Sequence, residues 1–540
     1  MAVYHVSTTG TKTTGASTPD DWTNANCYAT IKAAMDKVET SADEVIVADG
    51  TYSQSEITTT AAIAATGTTI RVRSFSNDPD ACIIQGTSAT AAAINNNKSG
   101  GVALGLHFKG FTLKKSVTHT SRTVPALVFH PQAAALDCEF ENCKINTVAI
   151  DIATGTSIYG FFGIGNSGHT PRTLRFRDCA IEGLTSASDG GVSFANGVAG
   201  MACEMINTTL DGITHTNKIA TGYGGGIAGG CNITLTNVTI GDLTIDLSAS
   251  TNAESAFSFF LASGETSVLT VNGLKVTGDA AILGGACGPV IATTFGPYTF
   301  NDIDVSGTVT SSPSAAGAPT SAGALFLANQ ISAQGSGANI TARNCTGENG
   351  PVLYCSQGAG GVFTDFVALN CTARKEGIVY AGGWGDVTWE DFAILGCSTA
   401  YEPVEAVAGG GAIYAHNHLL STRSKTTTIR RGQVIGCKQH LGGSAGLTLK
   451  AFHDAHSHDV VIDDLVLDSP GNDHEVWLQS AATALLNVTG QGLVLRNGNA
   501  SVENRSDGPG TIALGAITEP QTLIKRGVVI GGNVLRQVVA

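Results

Sequence analysis

Seven of the thirteen histidines in this 540-residue chain fall in one stretch: His416, His418, His440, His453, His456, His458 and His474. Carboxylates crowd the same region, among them Glu402, Glu405, Asp454, Asp459, Asp463, Asp464, Asp473 and Glu475, and Trp477 follows closely. A set of this kind is open to metal binding, and His453-Asp-Ala-His-Ser-His-Asp459 supplies good ligand types. Its spacing fits neither the helical H-E-x-x-H pair nor a calcium loop, so no metal site is expected. A glycan groove is a second possibility, with acids and imidazoles meeting hydroxyls and the indole offering a stacking face. Two carboxylates about 5 to 9 Å apart there could also hydrolyse a glycosidic bond. The third reading is a solvated polar loop face or a wet subunit interface. The glycan-binding candidates are His416, His418, His453, Asp454, His456, His458, Asp473, His474 and Trp477. No catalytic residue is assigned and no cofactor is implied.

What must position these groups is a repeat. One apolar residue, one spacer, an Asn, Asp or Gly, then alternating apolar residues recur from about residue 108 onward. The phrase reads Phe108-Lys-Gly-Phe-Thr-Leu, Phe140-Glu-Asn-Cys-Lys-Ile and Phe176-Arg-Asp-Cys-Ala-Ile. It returns as Trp389-Glu-Asp-Phe-Ala-Ile, Ile429-Arg-Arg-Gly-Gln-Val and Ile462-Asp-Asp-Leu-Val-Leu. The turn residues are taken as Gly110, Asn142, Asp178, Asn237, Asp302, Asp365, Asp391, Gly432 and Asp463. Most gaps between them are about 22 to 41 residues, a period that means stacked units sharing one core. Each unit is rich in Val, Ile, Thr and Phe with a turn former in its middle, so the units are strands. The expected fold is all-β: a solenoid of coils, a parallel β-helix. Stacking would gather the histidine-rich segments on one side of it.

Composition agrees. Only 14% of residues are charged, and the 67 glycines suit a chain that turns tightly at every corner. A net charge of −14 argues against a nucleic-acid groove. No apolar run approaches the 18 or so residues needed to span a bilayer, so no membrane insertion is expected. The local basic clusters, Arg172, Arg175 and Arg177, then Arg423, Lys425, Arg430 and Arg431, are expected to face outward as ordinary solvated charge. Thirteen cysteines without C-x-x-C pairs indicate neither zinc nor a disulfide framework. Cys143 and Cys179, and Cys345, Cys371, Cys397 and Cys437, each follow Asn, Asp or Gly. They are expected to stack beside a turn as small packing residues.

Residues 1–55 read differently. Val3-Tyr-His-Val is a short strand, and Thr30 is a plausible N-cap for a helix that places Ile31, Met35 and Val38 on one face. Glu44-Val-Ile-Val-Ala-Asp-Gly-Thr-Tyr52 is a strand running into a turn. The helix is expected to cap the open end of the coils, whose bare strand edges invite aggregation. Residues 56–540 are the β-helix, with a loop insertion near 308–322. The apolar terminal strand is expected to pair with the folded-back tail, a neighbouring copy or a particle surface, with association favoured. The start lacks a basic n-region and an apolar h-region, so no secretory signal is expected.

The opening, Tyr-His-Val-Ser-Thr-x-Gly, then Ala-Thr-Ile-Lys-Ala-Ala, then Val-Ile-Val-Ala-Asp-Gly-Thr-Tyr, resembles that of pectate-lyase-like right-handed parallel β-helix proteins. These include polysaccharide lyases, glycosidases and bacteriophage tailspikes and other virion proteins. The resemblance covers about 50 residues and implies a right-handed coil with three sheets and a capped N-terminal end. It leads to the expectation of a bacteriophage virion component, structural or receptor-binding. Such a protein would be a homo-oligomer (a trimer by likeness to tailspikes), contacting other virion proteins and bacterial surface polysaccharide. The alternative is a secreted polysaccharide lyase or glycoside hydrolase. For a lyase of this type, Asp365, Asp386, Glu390 and Asp391 with Arg374 and Lys375 supply calcium-binding acids and a base. Asp365 and Asp391 stand in the recurring turn slot, however, which makes them structural by analogy.

Overall fold

The structure is a computed structural model. It describes residues 1–540 except 56, 59–67, 96–103, 122, 131–136, 153–159, 165–171, 189–194, 197–200, 218–226, 230–231, 247, 249–255, 263–265, 285, 288–289, 313–323, 330–332, 400–409, 418–421, 441–443, 454, 470–473, 482, 497–501, 507–511, 517–527, 531–532 and 536–540. The fold is an all-β parallel β-helix. It divides into two compact units, one of Met1–Thr270 with Thr277–Gly285, the other of Val271–Val276 with Ala286–Ala540.

One coil of the second unit shows the plan. Strand Gly360–Leu369 is bent at Asp365, strand Thr372–Glu376 follows the corner at Asn370, and Val379–Gly382 follows the corner at Gly377. One coil later these pair in parallel with Val387–Leu395, Ser398–Thr399 and Ile413–His416. Because the pairing is in register, like residues lie on like. Phe366 stacks on Phe392 at 4.9 Å, and in the first unit Phe108, Phe140 and Phe176 stack at 5.9 and 5.6 Å. Each fully buried ring contributes roughly 1.5–3 kcal/mol of hydrophobic burial, and each offset pair about 0.5–1.5 kcal/mol more.

The bends are the point where the sequence reading needs correction. Asn142, Asp178, Asn207 and Asn237 in the first unit have φ between 48° and 53°. Asp302, Asn339, Asp365, Asp391, Arg431 and Asp464 in the second have φ between 47° and 57°. This left-handed conformation costs a non-glycine residue about 1–2 kcal/mol, and side-chain bonds along the column offset it. Asn207 Nδ2 donates to Asp178 Oδ1 (2.9 Å), Asn237 Nδ2 to Asn207 Oδ1 (3.1 Å) and Asn339 Nδ2 to Asp302 Oδ1 (3.1 Å). The bends expected at Gly432 and Asp463 lie one residue away, at Arg431 and Asp464. The bend falls two residues after an inward position, apolar at Phe140, Trp389, Ile429 and Ile462 and glycine at Gly337 before Asn339, and this count overrides glycine's preference for positive φ. Arg431 is held there by Asp391, Nε to Oδ1 at 2.8 Å. Gly432 instead occupies an inward position, where a Cβ would lie 2.1 Å from Phe392 Cζ. The ring of one coil fills the space left by the missing side chain of the next.

The cysteines behave as packing residues. Cys179 Sγ donates to Phe140 O of the preceding coil (3.3 Å), and Thr208 Oγ1 makes the same bond to Phe176 O one coil later. In the second unit Cys371, Cys397 and Cys437 point their thiols at Ala342 O, Ala368 O and Ile394 O. All cysteines with described side chains are free and buried. Burial pushes the Cys143 thiol up to about 12.

At the N-terminus the helix Ile31–Met35 forms as expected, with Thr30 Oγ1 accepting the Ala33 N–H at 3.1 Å. Its buried face, Ile31, Ala34 and Met35 with Val38 beyond, packs on strands Val3–Val6 and Glu44–Val47. Thr308–Ser312, at the start of the expected insertion, is a strand paired with Cys345–Asn349, while 313–323 lie outside the described residues. Near the C-terminus Val528–Ile530 pairs antiparallel with Asn533–Leu535, so the chain doubles back on itself there.

Asp365→Gly should leave the unfolding free energy read from urea titration within about 0.5 kcal/mol of wild type, because glycine accepts this φ. Asp365→Val should cost roughly 1–3 kcal/mol for a β-branched residue in the left-handed region. If both substitutions were equally harmless, Asp365 would not be a backbone residue.

Candidate functional site

In the sheet that holds Val379–Gly382 and Ile413–His416 the chain alternates between core and exterior. Phe326 meets Tyr298 and Phe300 inside the coil, and it pairs with Leu353, which continues to Val379 and Ile413. That row therefore faces inward, and the neighbouring row faces outward: Leu327, Tyr354, Tyr380, Tyr414, Thr448, Trp477. The Tyr354, Tyr380 and Tyr414 rings stack at 4.6 and 5.3 Å with planes 4° apart. A second outward row carries Ser356, Gly382, His416, Lys450 and Gln479.

Between these rows lies a hydrogen-bonded pair. The Tyr380 hydroxyl sits 2.7 Å from His416 Nε2, and His416 Nδ1 sits 3.0 Å from the Asn417 carbonyl. A carbonyl can only accept, so neutral His416 carries its proton on Nδ1 and accepts the hydrogen bond of the tyrosine hydroxyl at Nε2. Gly382 makes the pair possible. A Cβ there would lie 2.8 Å from both the Tyr380 hydroxyl and His416 Nε2. Lys450 places its ammonium 5.2 Å from the Tyr414 ring centroid, within cation–π range. Glu376 approaches the Tyr414 hydroxyl, and burial raises its carboxyl above the usual range, while burial lowers Lys450. The Tyr354 hydroxyl is pushed up to about 12, again by burial.

Of the predicted residues, His416 and Trp477 share this outward face. They are only 8% and 3% exposed, so the face is enclosed rather than an open groove. His453 and His456 sit in the turn that follows, rings 4.5 Å apart, with His453 Nδ1 accepting the Ala455 and His456 N–H groups. Asn417 ties that turn down, its Nδ2 donating to His456 O (2.9 Å) and its Oδ1 accepting from Phe452 N (2.6 Å). His458 points into the core, where Nδ1 donates to Lys450 O (2.9 Å) and Nε2 accepts from Thr427 Oγ1 (2.9 Å). His418, Asp454 and Asp473 lie outside the described residues, as does the side chain of His474. Four of the histidines thus gather at one corner of two coils, but with different tasks.

Lys425, expected on the surface, is buried. Its Nζ donates to Ala381 O (2.6 Å) and His416 O (3.0 Å), closing the corner from within. Its position on strand Lys425–Ile435 has the inward parity of Thr427 and Ile429, which composition does not reveal. Burial draws this ammonium down to about 7 and, with the nearby Lys425 charge, holds His458 well below the usual histidine range. Tyr354, Tyr380, Tyr414, Glu376 and Lys450 were missed by the sequence reading. A signal for the tyrosines was present: Leu353-Tyr-Cys, Val379-Tyr-Ala and Ile413-Tyr-Ala in successive coils.

The acids considered for calcium chemistry do not converge. Asp391 and Glu390 both hold Arg431, Asp386 accepts the Thr426 N–H at 2.7 Å, Arg374 donates to Ser312 and Lys375 pairs with Glu348 at 2.9 Å. Among the described residues, the histidine and acid ligand atoms close enough to share an ion are those of His107, Glu139 and Glu141 in the first unit. Those carboxylates already pair with Lys109, Arg175 and Arg177, which makes the group part of an ion-pair lattice on the outer sheet face.

Compared with protein-family models, curated proteins and solved structures, the chain matches none. What fold and site define is a class: a parallel β-helix with an enclosed tyrosine–histidine face on one sheet.

The unfolded chain keeps the Lys425 proton up to about 10.5, whereas the folded chain releases it near 7. Folding therefore expels a proton between these values, and stability should rise with pH across that window, by at most about 1.4 kcal/mol per pH unit. Thermal melts of Lys425→Met from pH 7 to 10 should show a shallower rise than wild type. An unchanged slope would mean that Lys425 does not titrate in this window.

Proposed function

We propose that this protein is a virion-associated β-helix of bacteriophage type, a structural or receptor-binding component that meets host-surface glycan. What supports the architectural part is how its ionisable and polar groups are used. Turn amides bond along the stack, thiols bond to the carbonyls of the coil before, and surface acids hold the arginines and lysines of adjacent coils. Side chains spent in this way give durability rather than turnover. The glycan part rests on an outward face where stacked tyrosines, an indole, an imidazole and an ammonium occur together. These are the groups that recognise hydroxyls and acidic sugars.

One observation favours a catalytic version of the same site. Tyr380, His416 and the Asn417 carbonyl form a chain in which an imidazole accepts a hydrogen bond from a hydroxyl and a third group orients the imidazole. A lyase or glycosidase acting on an extracellular glycan would use that arrangement.

An array of bacterial capsular and O-antigen polysaccharides tests both. Retention without product supports the binding reading, and release of unsaturated or newly reducing ends supports the enzyme. In the enzyme case Tyr380→Phe should retain glycan while product formation falls at least 100-fold. Absence of retention on every polysaccharide would remove the glycan part.

A further inference from the structure

A loop joins strand Thr112–Lys115 to strand Val128–His130 in the first unit. From Ser116 to Val124 its described residues are exposed or half-buried, except His119, which is 1% exposed. One side chain therefore plugs the loop into the coil. Its backbone is tied to the next coil at both groups, His119 N donating to Ala149 O and Asp151 N to His119 O, each at 2.8 Å. Its ring is engaged at both nitrogens. Nε2 lies 2.7 Å from the Val124 carbonyl, which can only accept, so Nε2 carries the proton. Nδ1 is then an acceptor, and it lies 3.0 Å from Lys115 Nζ, whose ammonium also donates to Ala91 O at 2.8 Å.

That partner is unlike those of His215, His416 and His458, whose rings meet the hydroxyls of Ser186, Tyr380 and Thr427. A hydroxyl can turn and accept when an imidazole gains a proton, but an ammonium has no lone pair to offer. Protonating His119 therefore breaks its bond to Lys115 and sets two cations against each other in a buried corner, where water screens them poorly. The other charged side chains on strands Thr112–Lys115 and Lys144–Ile152 stand nearer to solvent: Lys114 and Lys144 are half-buried and Asp151 is exposed. The preceding coil contributes the uncharged segment Ala89-Thr-Ala91, and the side chain of His130 lies outside the described residues. Burial first, then the Lys115 charge, draws His119 down to about 4.

We infer that Lys115 and His119 form an acid-released latch, which holds the 116–124 loop on the coil at neutral pH and frees it when His119 takes a proton. In the freed loop His119 regains its ordinary value of 6.5, so the open form is the one that binds the extra proton. Closure should weaken by up to tenfold per pH unit from 6.5 down to about 4, about 300-fold in all, and change no further below that. The latch does not depend on the glycan reading.

Hydrogen exchange on the full chain, corrected for its intrinsic pH dependence, reads the latch at the His119 and Thr120 amides, which bond to Ala149 O and Ala89 O. Their protection should fall between pH 6.5 and 4 while that of strand Thr68–Ser74 stays level. In His119→Gln the amide keeps a donor for Val124 and an acceptor for Lys115 but takes no proton, so protection should stay level across the range. Lys115→Met removes the opposing charge, and the pH-linked loss should shrink at least threefold. Level protection in wild type, a parallel loss on Thr68–Ser74, a full slope retained in His119→Gln, or an unchanged loss in Lys115→Met would each overturn the inference.

Discussion

The constraint on which everything else depends is that this chain satisfies its backbone between coils, in parallel and in register. A strand that bonds to its counterpart one coil away must lay each residue over its equivalent, and every side-chain interaction then becomes a column. Phenylalanines stack on phenylalanines and thiols sit one above another. The left-handed bends align so that the amide of one turn bonds to the next. The same logic governs charge. On the outer sheet face of the first unit, Arg175 lies between Glu139 and Glu204, bonded to both. A slip by one coil would bring like charges together, so the lattice fixes register more than it adds stability.

Columns also explain how a few residues acquire unusual surroundings. Strand alternation sends Lys425 and His458 inward and His416 and Lys450 outward, although all four belong to one corner. The inward pair is tolerated because its polar atoms have partners: two carbonyls for the ammonium, a carbonyl and a hydroxyl for the imidazole. Burial still lowers both affinities for protons, outweighing the Asp386 charge at Lys425 and joined by the Lys425 charge at His458. The outward pair sits among tyrosines, where a hydroxyl, an imidazole and a missing Cβ fit together. The same corner therefore joins a structural device to the groups with the most chemistry.

Exterior positions carry the individuality of each stretch of coil. Inward residues are mostly apolar, with Lys425 and His458 as buried exceptions, but the outward ones change character along the sequence. They are charged and paired in the first unit, aromatic and enclosed on one sheet of the second, and aliphatic on another. A solenoid can therefore hold one fold while each face is specialised separately.

The amino-acid sequence by itself determined the repeat, its strand character, the helical cap and the packing role of the cysteines. These follow from local periodicity, and in-register stacking turns local periodicity directly into structure. Two bends were misplaced because glycine's preference was followed at Gly432 and a neighbouring aspartate was chosen at Asp463; counting two residues from Ile429 and Ile462 finds Arg431 and Asp464. Which histidine faces the core, which lysine is buried and which tyrosine meets His416 were decided only by the tertiary structure. Those outcomes depend on strand parity counted across turns of uneven length. A residue more or less in a turn shifts the sequence position at which the inward parity of the next strand begins, and composition carries no record of it.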